Sequence, residues 1–292
     1  MRFSLTQKAA APVIGDRCVR HLLRYATCQA CADACPVAAL AVVDGNVELA
    51  EERCLHCGDC LFVCPTEAIG GITSVIRHYL DDTLVGPLSF RAASTAELLV
   101  WHRFYHLRAV ACDPDTQPGW VLAVAQLNLT LRQYQEPQWR IVPPGDDGID
   151  TSRRALMRAP ASVTRSARVP AGRRVLRQLY PQMSDWLPDI DPRRCQLCGA
   201  CWRICPEQAL RLENENMVTE SARCTGCGNC QAVCQHQAVT LSAGPRHEPV
   251  RQLPLVSASC TSCQRTFLAW RTDRRVCPTC AQHQYGMRGH CC

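Results

Sequence analysis

The chain has 292 residues, of which 23 are cysteine, and a formal net charge of +6. This length is enough for about two domains. No purely apolar run in the sequence is long enough to cross a membrane, and the run 120–125 is far too short. The cysteines recur in Cys-x2-Cys runs that suit metal binding rather than the disulfide scaffold of a small secreted protein.

The first cysteine block spans 16–71. Its cysteines fall into two closely spaced runs, and one further cysteine lies ten residues before the first run. Three thiols at such spacing fit one tight loop that presents its sulfurs to a single iron–sulfur cluster. The spacing therefore predicts cluster ligands. The cysteines of this block are Cys18, Cys28, Cys31, Cys35, Cys54, Cys57, Cys60 and Cys64.

A cysteine-poor segment follows at 74–150. A capping box at 94–97 predicts the start of a helix, and 108–112 and 139–142 predict strands on either side of a second helix at 120–134. This order predicts a small α/β insert with a right-handed parallel crossover. Because no glycine-rich dinucleotide motif follows the first strand, we expect a packing or partner-docking unit, with a ligand site as the alternative and Cys112 in the core.

The next segment, 151–190, is an arginine-rich connector. Between Thr151 and Ser184 it has eight arginines and no acidic residue. A solvated linker, or a docking strip for an acidic partner, is the favoured interpretation. A nucleic-acid contact is the weaker one, because no aromatic residues are interleaved with the arginines between 151 and 179.

The second cysteine block, 191–242, repeats the first with an offset of 170 residues. Seven cysteines shift by the same amount, from Cys28, which becomes Cys198, to Cys64, which becomes Cys234. This block adds Cys195, whose counterpart by the same offset is Tyr25. The full set is Cys195, Cys198, Cys201, Cys205, Cys224, Cys227, Cys230 and Cys234.

The tail, 256–292, holds two more Cys-x2-Cys pairs, with 13 residues between them. Two such pairs supply four thiolates at tetrahedral geometry, so the tail resembles a zinc ribbon. Mononuclear iron fits the same ligands, although zinc satisfies a closed structural site without a redox role. The predicted metal ligands are Cys260, Cys263, Cys277 and Cys280; Cys291 and Cys292 are left unassigned.

The two blocks resemble bacterial-type dicluster ferredoxins and the iron–sulfur electron-transfer subunits of molybdenum oxidoreductases and hydrogenases. The resemblance covers about 110 of the 292 residues and depends on the run Cys28-x2-Cys31-x3-Cys35-Pro36 and on the runs that begin at Cys54, Cys195 and Cys224. It implies an α+β fold with two ferredoxin-like modules, each holding two [4Fe–4S] clusters. The chain departs from the pattern at Cys18 and at Gln235, which replaces a proline.

The resemblance also implies that the fourth cysteine of each run ligates the neighbouring cluster. For one site of the first block this leaves three thiols, and we expect Cys18 to replace the missing fourth; the alternative is a three-iron cluster with Cys18 as an ordinary buried thiol. The implied ligand sets are Cys35, Cys54, Cys57 and Cys60; Cys18, Cys28, Cys31 and Cys64; Cys195, Cys198, Cys201 and Cys234; and Cys205, Cys224, Cys227 and Cys230.

Glycines lie inside the cluster loops at 58, 199, 226 and 228. Because glycine has no side chain, we expect these loops to bring backbone N–H groups close to the cluster sulfurs and so to tune the reduction potential.

Four closed clusters predict an electron-transfer subunit that has no catalytic centre of its own and serves a partner protein, a larger oxidoreductase complex. The alternatives are an assembly or maturation factor for a redox enzyme and a cluster-containing nucleic-acid-binding regulator. Four clusters and one zinc site would bring the net charge to about −4, so we do not expect nucleic acid as a partner. We expect a cytoplasmic protein that meets a membrane only through its partner.

Overall fold

A computed structural model describes residues 12–145, 164–246 and 250–281. The chain mixes helices and strands, as the α+β prediction requires, and divides into two compact units. The first unit contains the described part of 1–16 together with 29–43 and 47–179. The second contains 17–28, 44–46 and the chain from residue 180 onward. No helix in the described ranges combines the length and the apolar composition needed to span a bilayer.

Short elements make up most of the fold. The helices are α1 (Val19–Leu22), α2 (Ala30–Asp33), α3 (Asp59–Val63), α4 (Thr95–Phe104), α5 (Pro118–Gln133), α6 (Arg173–Leu179), α7 (Ala200–Ile204) and α8 (Asn229–Ala232). The strands are β1 (Val13–Ile14), β2 (Leu40–Val43), β3 (Asn46–Leu49), β4 (Ile69–Gly70), β5 (Arg77–Leu80), β6 (Thr83–Val85), β7 (Ala109–Ala111), β8 (Arg140–Val142), β9 (Arg165–Ala167), β10 (Ser184–Ile190), β11 (Leu210–Glu213), β12 (Asn216–Glu220), β13 (Val239–Arg246), β14 (Val250–Pro254), β15 (Val256–Ser259) and β16 (Thr266–Ala269).

The first unit contains a five-stranded sheet in the order β8-β7-β6-β5-β9. The predicted strand–helix–strand segment is present as β7, α5 and β8, and its two strands are parallel. A second parallel crossover, β6–α4–β7, lies beside it and was not predicted. Cys112 is fully buried directly after β7, as expected for a core thiol.

The segment interpreted as a connector is part of the folded structure wherever it is described. Its strand β9 pairs antiparallel with β5, and α6 packs against α4. Arg173 Nε donates to the carbonyl of Val63 at 2.9 Å, and Arg174 pairs with Glu67 at 3.0 Å. These arginines hold the chain on either side of Cys64, so a free docking strip is the wrong interpretation for them. Residues 151–163 of the connector lie outside the described ranges.

The second unit is built from three small antiparallel sheets. Strand β10 pairs with β13, β12 lies between β11 and β14, and β15 pairs with β16. Its core contains Ile190, Leu210, Met217 and Val239, all of them nearly inaccessible to water. The same core includes Cys201 and Cys230, so the cluster loops and the sheets share one packed interior.

A buried ion pair joins the sheet of the first unit to α4. The Arg77 guanidinium binds both carboxylate oxygens of Glu97, at 2.5 and 2.9 Å, and lies over the Trp120 ring at 5.1 Å. Glu97 is the acidic residue of the predicted capping box. Ser94 Oγ accepts from its amide as expected, but its carboxylate accepts from Arg77 and from the Trp101 indole instead of returning to the helix end.

Arg77→Met should lower the free energy of unfolding by about 3–5 kcal/mol, because it leaves the Glu97 carboxylate buried and unpaired. Arg140→Met is the matched control, since the Arg140–Asp82 pair is largely exposed and should contribute about 1 kcal/mol or less. Urea denaturation followed by circular dichroism measures both. Equal losses in the two variants would show that the buried pair is not a main support of this unit.

Candidate metal centres

The same loop closes each of the four cysteine runs. In every case the last cysteine of the run accepts a hydrogen bond from the amide of an alanine four residues later, with N···S distances of 3.1 to 3.3 Å. The residue before each alanine has a positive φ of 48° to 52°, which turns the amide back toward the sulfur. The cysteine–alanine pairs are Cys35 and Ala39, Cys64 and Ala68, Cys205 and Ala209, and Cys234 and Ala238.

The departure at Gln235 leaves this loop unchanged. Prolines follow the other three cysteines, yet the Cys234 loop has the same N–H···S contact, at 3.2 Å, and the same left-handed residue, Gln237. The loop geometry therefore depends on the left-handed turn and not on proline.

The loop glycines act through the residues that follow them. Gly58 and Gly228 are left-handed, with φ of 76° and 78°, and each begins a short helix. The next amides, those of Asp59 and Asn229, donate toward the sulfurs of Cys57 and Cys227 and lower their pKa, although burial raises it more. The amides that donate to these sulfurs therefore belong to the residues that follow the glycines, one position later than predicted.

Gly226 serves a different purpose, because its missing side chain admits a tryptophan. A Cβ at this position would overlap the Trp186 ring, so the indole lies directly on the backbone between Cys224 and Cys227. The matched residue in the first block is His56, which is also left-handed, with φ of 51°, and is exposed to solvent.

Three of the predicted ligand sets have their cysteines close together. Burial raises the pKa of Cys60 and of Cys201 to about 12 and raises that of Cys230 still further. Neighbouring thiolates add to each rise. They are Cys57, Cys31, Cys54 and Cys35 for Cys60; Cys195, Cys198 and Cys234 for Cys201; and Cys227, Cys224, Cys205 and Cys201 for Cys230.

Two of these sets line equivalent cavities. One cavity is lined by Cys35, Cys54, Cys57 and Cys60, and the other by Cys205, Cys224, Cys227 and Cys230. The residues present fit [4Fe–4S] clusters, because each set offers four sulfurs together with amide donors directed at them. Iron would replace the protons that burial otherwise retains on these thiols.

The fourth set includes Cys18, and strand register supports its assignment. In the first block the Gly15 amide bonds the Ala68 carbonyl at 2.7 Å; in the second block the Asp191 amide bonds the matching Ala238 carbonyl at 2.8 Å. Cys18 lies three residues after Gly15, and Cys195 lies four residues after Asp191. The two thiols thus leave equivalent strands at nearly the same point.

An insertion explains why Tyr25 does not correspond to Cys195. Cys28 lies ten positions after Cys18, whereas Cys198 lies three positions after Cys195, and the longer segment contains α1. Tyr25 is 75% exposed. Cys18 and Cys28 belong to the second unit, and Cys31 and Cys64 to the first, so this ligand set stays a prediction.

The two blocks differ in charge beside the ligands. Asp59 is buried in the first block and pairs with Arg91 at 2.8 Å. Its counterpart, Asn229, is 1% exposed and neutral. An amide needs no cation when it is buried, whereas an unpaired buried carboxylate would be costly.

The four-cysteine module, defined by the described residues 256–281, holds the fifth site. The sulfurs of Cys260, Cys263, Cys277 and Cys280 all lie within 4.8 Å of one another. Tetrahedral zinc with four thiolates requires sulfurs about 3.8 Å apart, so the group suits zinc or iron. The amides of Cys277 and Cys263 lower the pKa of Cys260 to about 6, because donated N–H groups outweigh burial in so small a module. Cys291 and Cys292 lie outside the described ranges.

Gly58→Ala should release iron from the first block faster than Gly228→Ala releases it from the second. Both changes force a left-handed alanine, at a cost of about 1–2 kcal/mol. At Gly58 the new Cβ would also lie 3.2 Å from the Thr73 carbonyl oxygen, whereas Gly228 faces open space. Iron transfer to a chelator, followed by absorbance, measures both rates. Equal rates would mean that this close approach does not constrain the loop.

Comparisons with known proteins agree with this geometry. Two family models, both described as 4Fe-4S dicluster domain, match residues 13–68 and 187–235. The matched ranges contain all the cysteines of the two blocks and exclude the sheet of the first unit and the four-cysteine module. No curated protein gave a match. The two matched domains support a ferredoxin-like iron–sulfur protein with an electron-transfer role.

Proposed function

We propose that this protein is the electron-transfer subunit of a larger oxidoreductase complex and passes single electrons through four [4Fe–4S] clusters, with no catalytic centre of its own. The observation that carries the proposal is that adjacent ligand sets meet inside each block. When bound, a cluster supplies the ability to accept and release one electron. The residues of the chain would hold the clusters close together.

The meeting point in each block is a pair of short helices. Helix α2 carries Cys31 and packs against α3, which carries Cys60; α7 and α8 repeat this arrangement with Cys201 and Cys230. The charge of Cys31 raises the pKa of Cys60, and that of Cys201 raises the pKa of Cys230. Ligands of different sets are thus near enough to interact directly, which suits electron passage between neighbouring clusters.

Within the second unit, a predicted ligand of the first block lies near a predicted ligand of the second. Cys28, a predicted ligand of the first block, belongs to this unit. Desolvation raises the pKa of the half-buried Cys227, and the charge of Cys28 adds to that rise. Arg20 fixes the Cys28 loop by donating to its carbonyl at 2.5 Å and to the Gly45 carbonyl at 3.2 Å. A fixed loop keeps this ligand beside the second block.

Outside the cysteines, His102 is the side chain that most resembles a catalytic group, but its contacts are structural. His102 is fully buried, and its Nδ1 accepts from the Trp139 indole at 2.9 Å while Nε2 lies 3.4 Å from Glu136. Burial and the nearby Arg108 lower the pKa of His102 to about 4, so the ring is neutral at physiological pH. A neutral histidine locked between two partners supports packing rather than proton transfer, which agrees with a protein that only conducts electrons.

In this proposal the partner is a redox protein in the cytoplasm, and the chain contacts a membrane only through that partner. The proposal does not include nucleic acid as a partner. Arg168, Arg173 and Arg174 of the segment 151–190 contact the chain itself, Arg168 through Thr73, and this weakens the case for a nucleic-acid surface.

Protein purified anaerobically should contain about sixteen irons and one zinc per chain. Dithionite should reduce the clusters, and the reduced protein should then reduce a co-purifying oxidoreductase, yet show no turnover with small-molecule substrates alone. Metal analysis and anaerobic absorbance measure these outcomes. Iron near eight per chain in folded protein would refute the two-module assignment, and turnover without a partner would refute the non-enzymatic role.

Cys18→Ala should remove or convert one cluster, because Cys18 is the thiol that leaves the strand equivalent to the one before Cys195. Cys112→Ala is the control, since this buried thiol belongs to the core of the first unit and should leave iron content unchanged. Electron paramagnetic resonance of the reduced variants distinguishes the outcomes. Four intact cubane signals in Cys18→Ala would remove Cys18 from the ligand set.

A further inference from the structure

The four-cysteine module is fixed to the second block without a flexible linker. Strand β14 pairs with β12 along its whole length, from Asn216 opposite Pro254 to Glu220 opposite Val250. The next residue, Leu255, is buried in the core of the second unit, and its amide bonds the Glu215 carbonyl at 2.9 Å. Strand β15 of the module begins immediately afterwards, so the position of the module is set by the sheet of the block.

Two side chains of the module contact the loop that begins at Cys195. Trp270 follows β16 directly and packs, with Leu268, against the core that includes Cys201, and the partly buried Cys195 packs against the same core. The Arg274 guanidinium donates to the side-chain oxygen of Gln196. The module thus holds the residue after Cys195 and packs on the core that Cys195 also covers.

The Trp270 indole nitrogen is buried and makes no hydrogen bond of normal geometry to any described residue. A buried N–H without an acceptor is costly, so its place calls for an explanation. Burial raises the pKa of the Cys195 thiol, whereas the Leu197 amide and the Trp270 indole N–H lower it. The indole and the Cys195 thiol pack against the same core, and Trp270 affects the pKa of that thiol, so the two groups are neighbours. A negatively charged, cluster-bound thiolate would be the acceptor that the indole lacks.

We propose that the four-cysteine module is a cap on the cluster site formed by Cys195, Cys198, Cys201 and Cys234, and that Trp270 donates its indole N–H to Cys195 Sγ and so raises the reduction potential of that cluster. Hydrogen bonds to cluster sulfurs stabilise the more negative, reduced state. The metal of the module holds the short loop that follows Trp270, so metal loading in the tail controls the potential of a cluster elsewhere in the chain. This inference rests on the proposed cluster at these four cysteines.

The first block offers no equivalent device within the described ranges. Its only counterpart to Cys195 by the repeat offset is the exposed Tyr25, and the described residues contain no second group of four cysteines like that of the tail. The cap therefore distinguishes one cluster site from the others.

The test is a redox titration of the full-length, cluster-loaded protein, followed by electron paramagnetic resonance. Trp270→Phe keeps the packing ring and removes the N–H. We expect it to lower the ratio of reduced to oxidised cluster about tenfold at a fixed ambient potential, a shift of about 59 mV toward more negative values. Trp120→Phe is the matched control, because that indole N–H donates to the Ser89 carbonyl at 2.9 Å and not to a sulfur. Cys198→Ala identifies the signal that belongs to this cluster.

A second variant tests the role of the tail metal. Cys280→Ser should lose the tail metal while keeping the iron of both blocks, and should shift the same signal in the same direction as Trp270→Phe. An unchanged potential in Trp270→Phe, with all clusters present, would overturn the proposal. A shift in Trp270→Phe but none in metal-free Cys280→Ser would overturn the control by metal. If the unmodified protein lacks the signal that Cys198→Ala should remove, the cluster assignment itself fails, and iron content shows this independently.

Discussion

The structure depends on one local constraint: the last cysteine of each run must receive an amide from a left-handed turn four residues later. Cys35, Cys205 and Cys234 each lie near a cysteine of the other run of their block, so these three sites draw on both runs. Pairing of the flanking strands follows from the same constraint, because the alanine that donates at Cys64 or Cys234 also accepts from Gly15 or Asp191. Ligand geometry and strand pairing are thereby joined in the same few residues, and a fault in one would damage the other.

Much of the cluster geometry could be predicted from the sequence because cysteine spacing acts over a few covalent bonds. The capping box at Ser94, the helix that it begins and the parallel strands around α5 were also readable, since each has its own local signal. Strand β9 had none: it is a short edge strand of Arg165, Ser166 and Ala167, which pairs through its backbone and needs no apolar pattern. The partners of Arg173, the second use of Glu97 and the placement of Trp270 beside Cys195 arise from tertiary packing, which spacing does not encode.

The two blocks share a cysteine pattern but no longer share surroundings. The first compensates a buried acid with Arg91 and reaches Cys18 by way of an additional helix, whereas the second replaces the acid with Asn229 and receives the four-cysteine module. Each difference changes the charge or the hydrogen-bond donors near one set of thiols and leaves the other sets unchanged. Because cluster potentials respond to net charge, hydrogen bonds and solvent exposure, such differences are the means by which a repeated fold can give unequal sites.

The contact between Trp186 and Gly226 also restricts how these repeats can evolve. A histidine at 226, as the first block has at His56, would meet the indole, so the substitution is tolerable only after Trp186 has become smaller. In the reverse order, a tryptophan could reach position 186 only once residue 226 was already glycine. The two positions are therefore epistatic, and recombination between the repeats that brought a histidine to 226 while Trp186 stayed would place the new side chain on the indole.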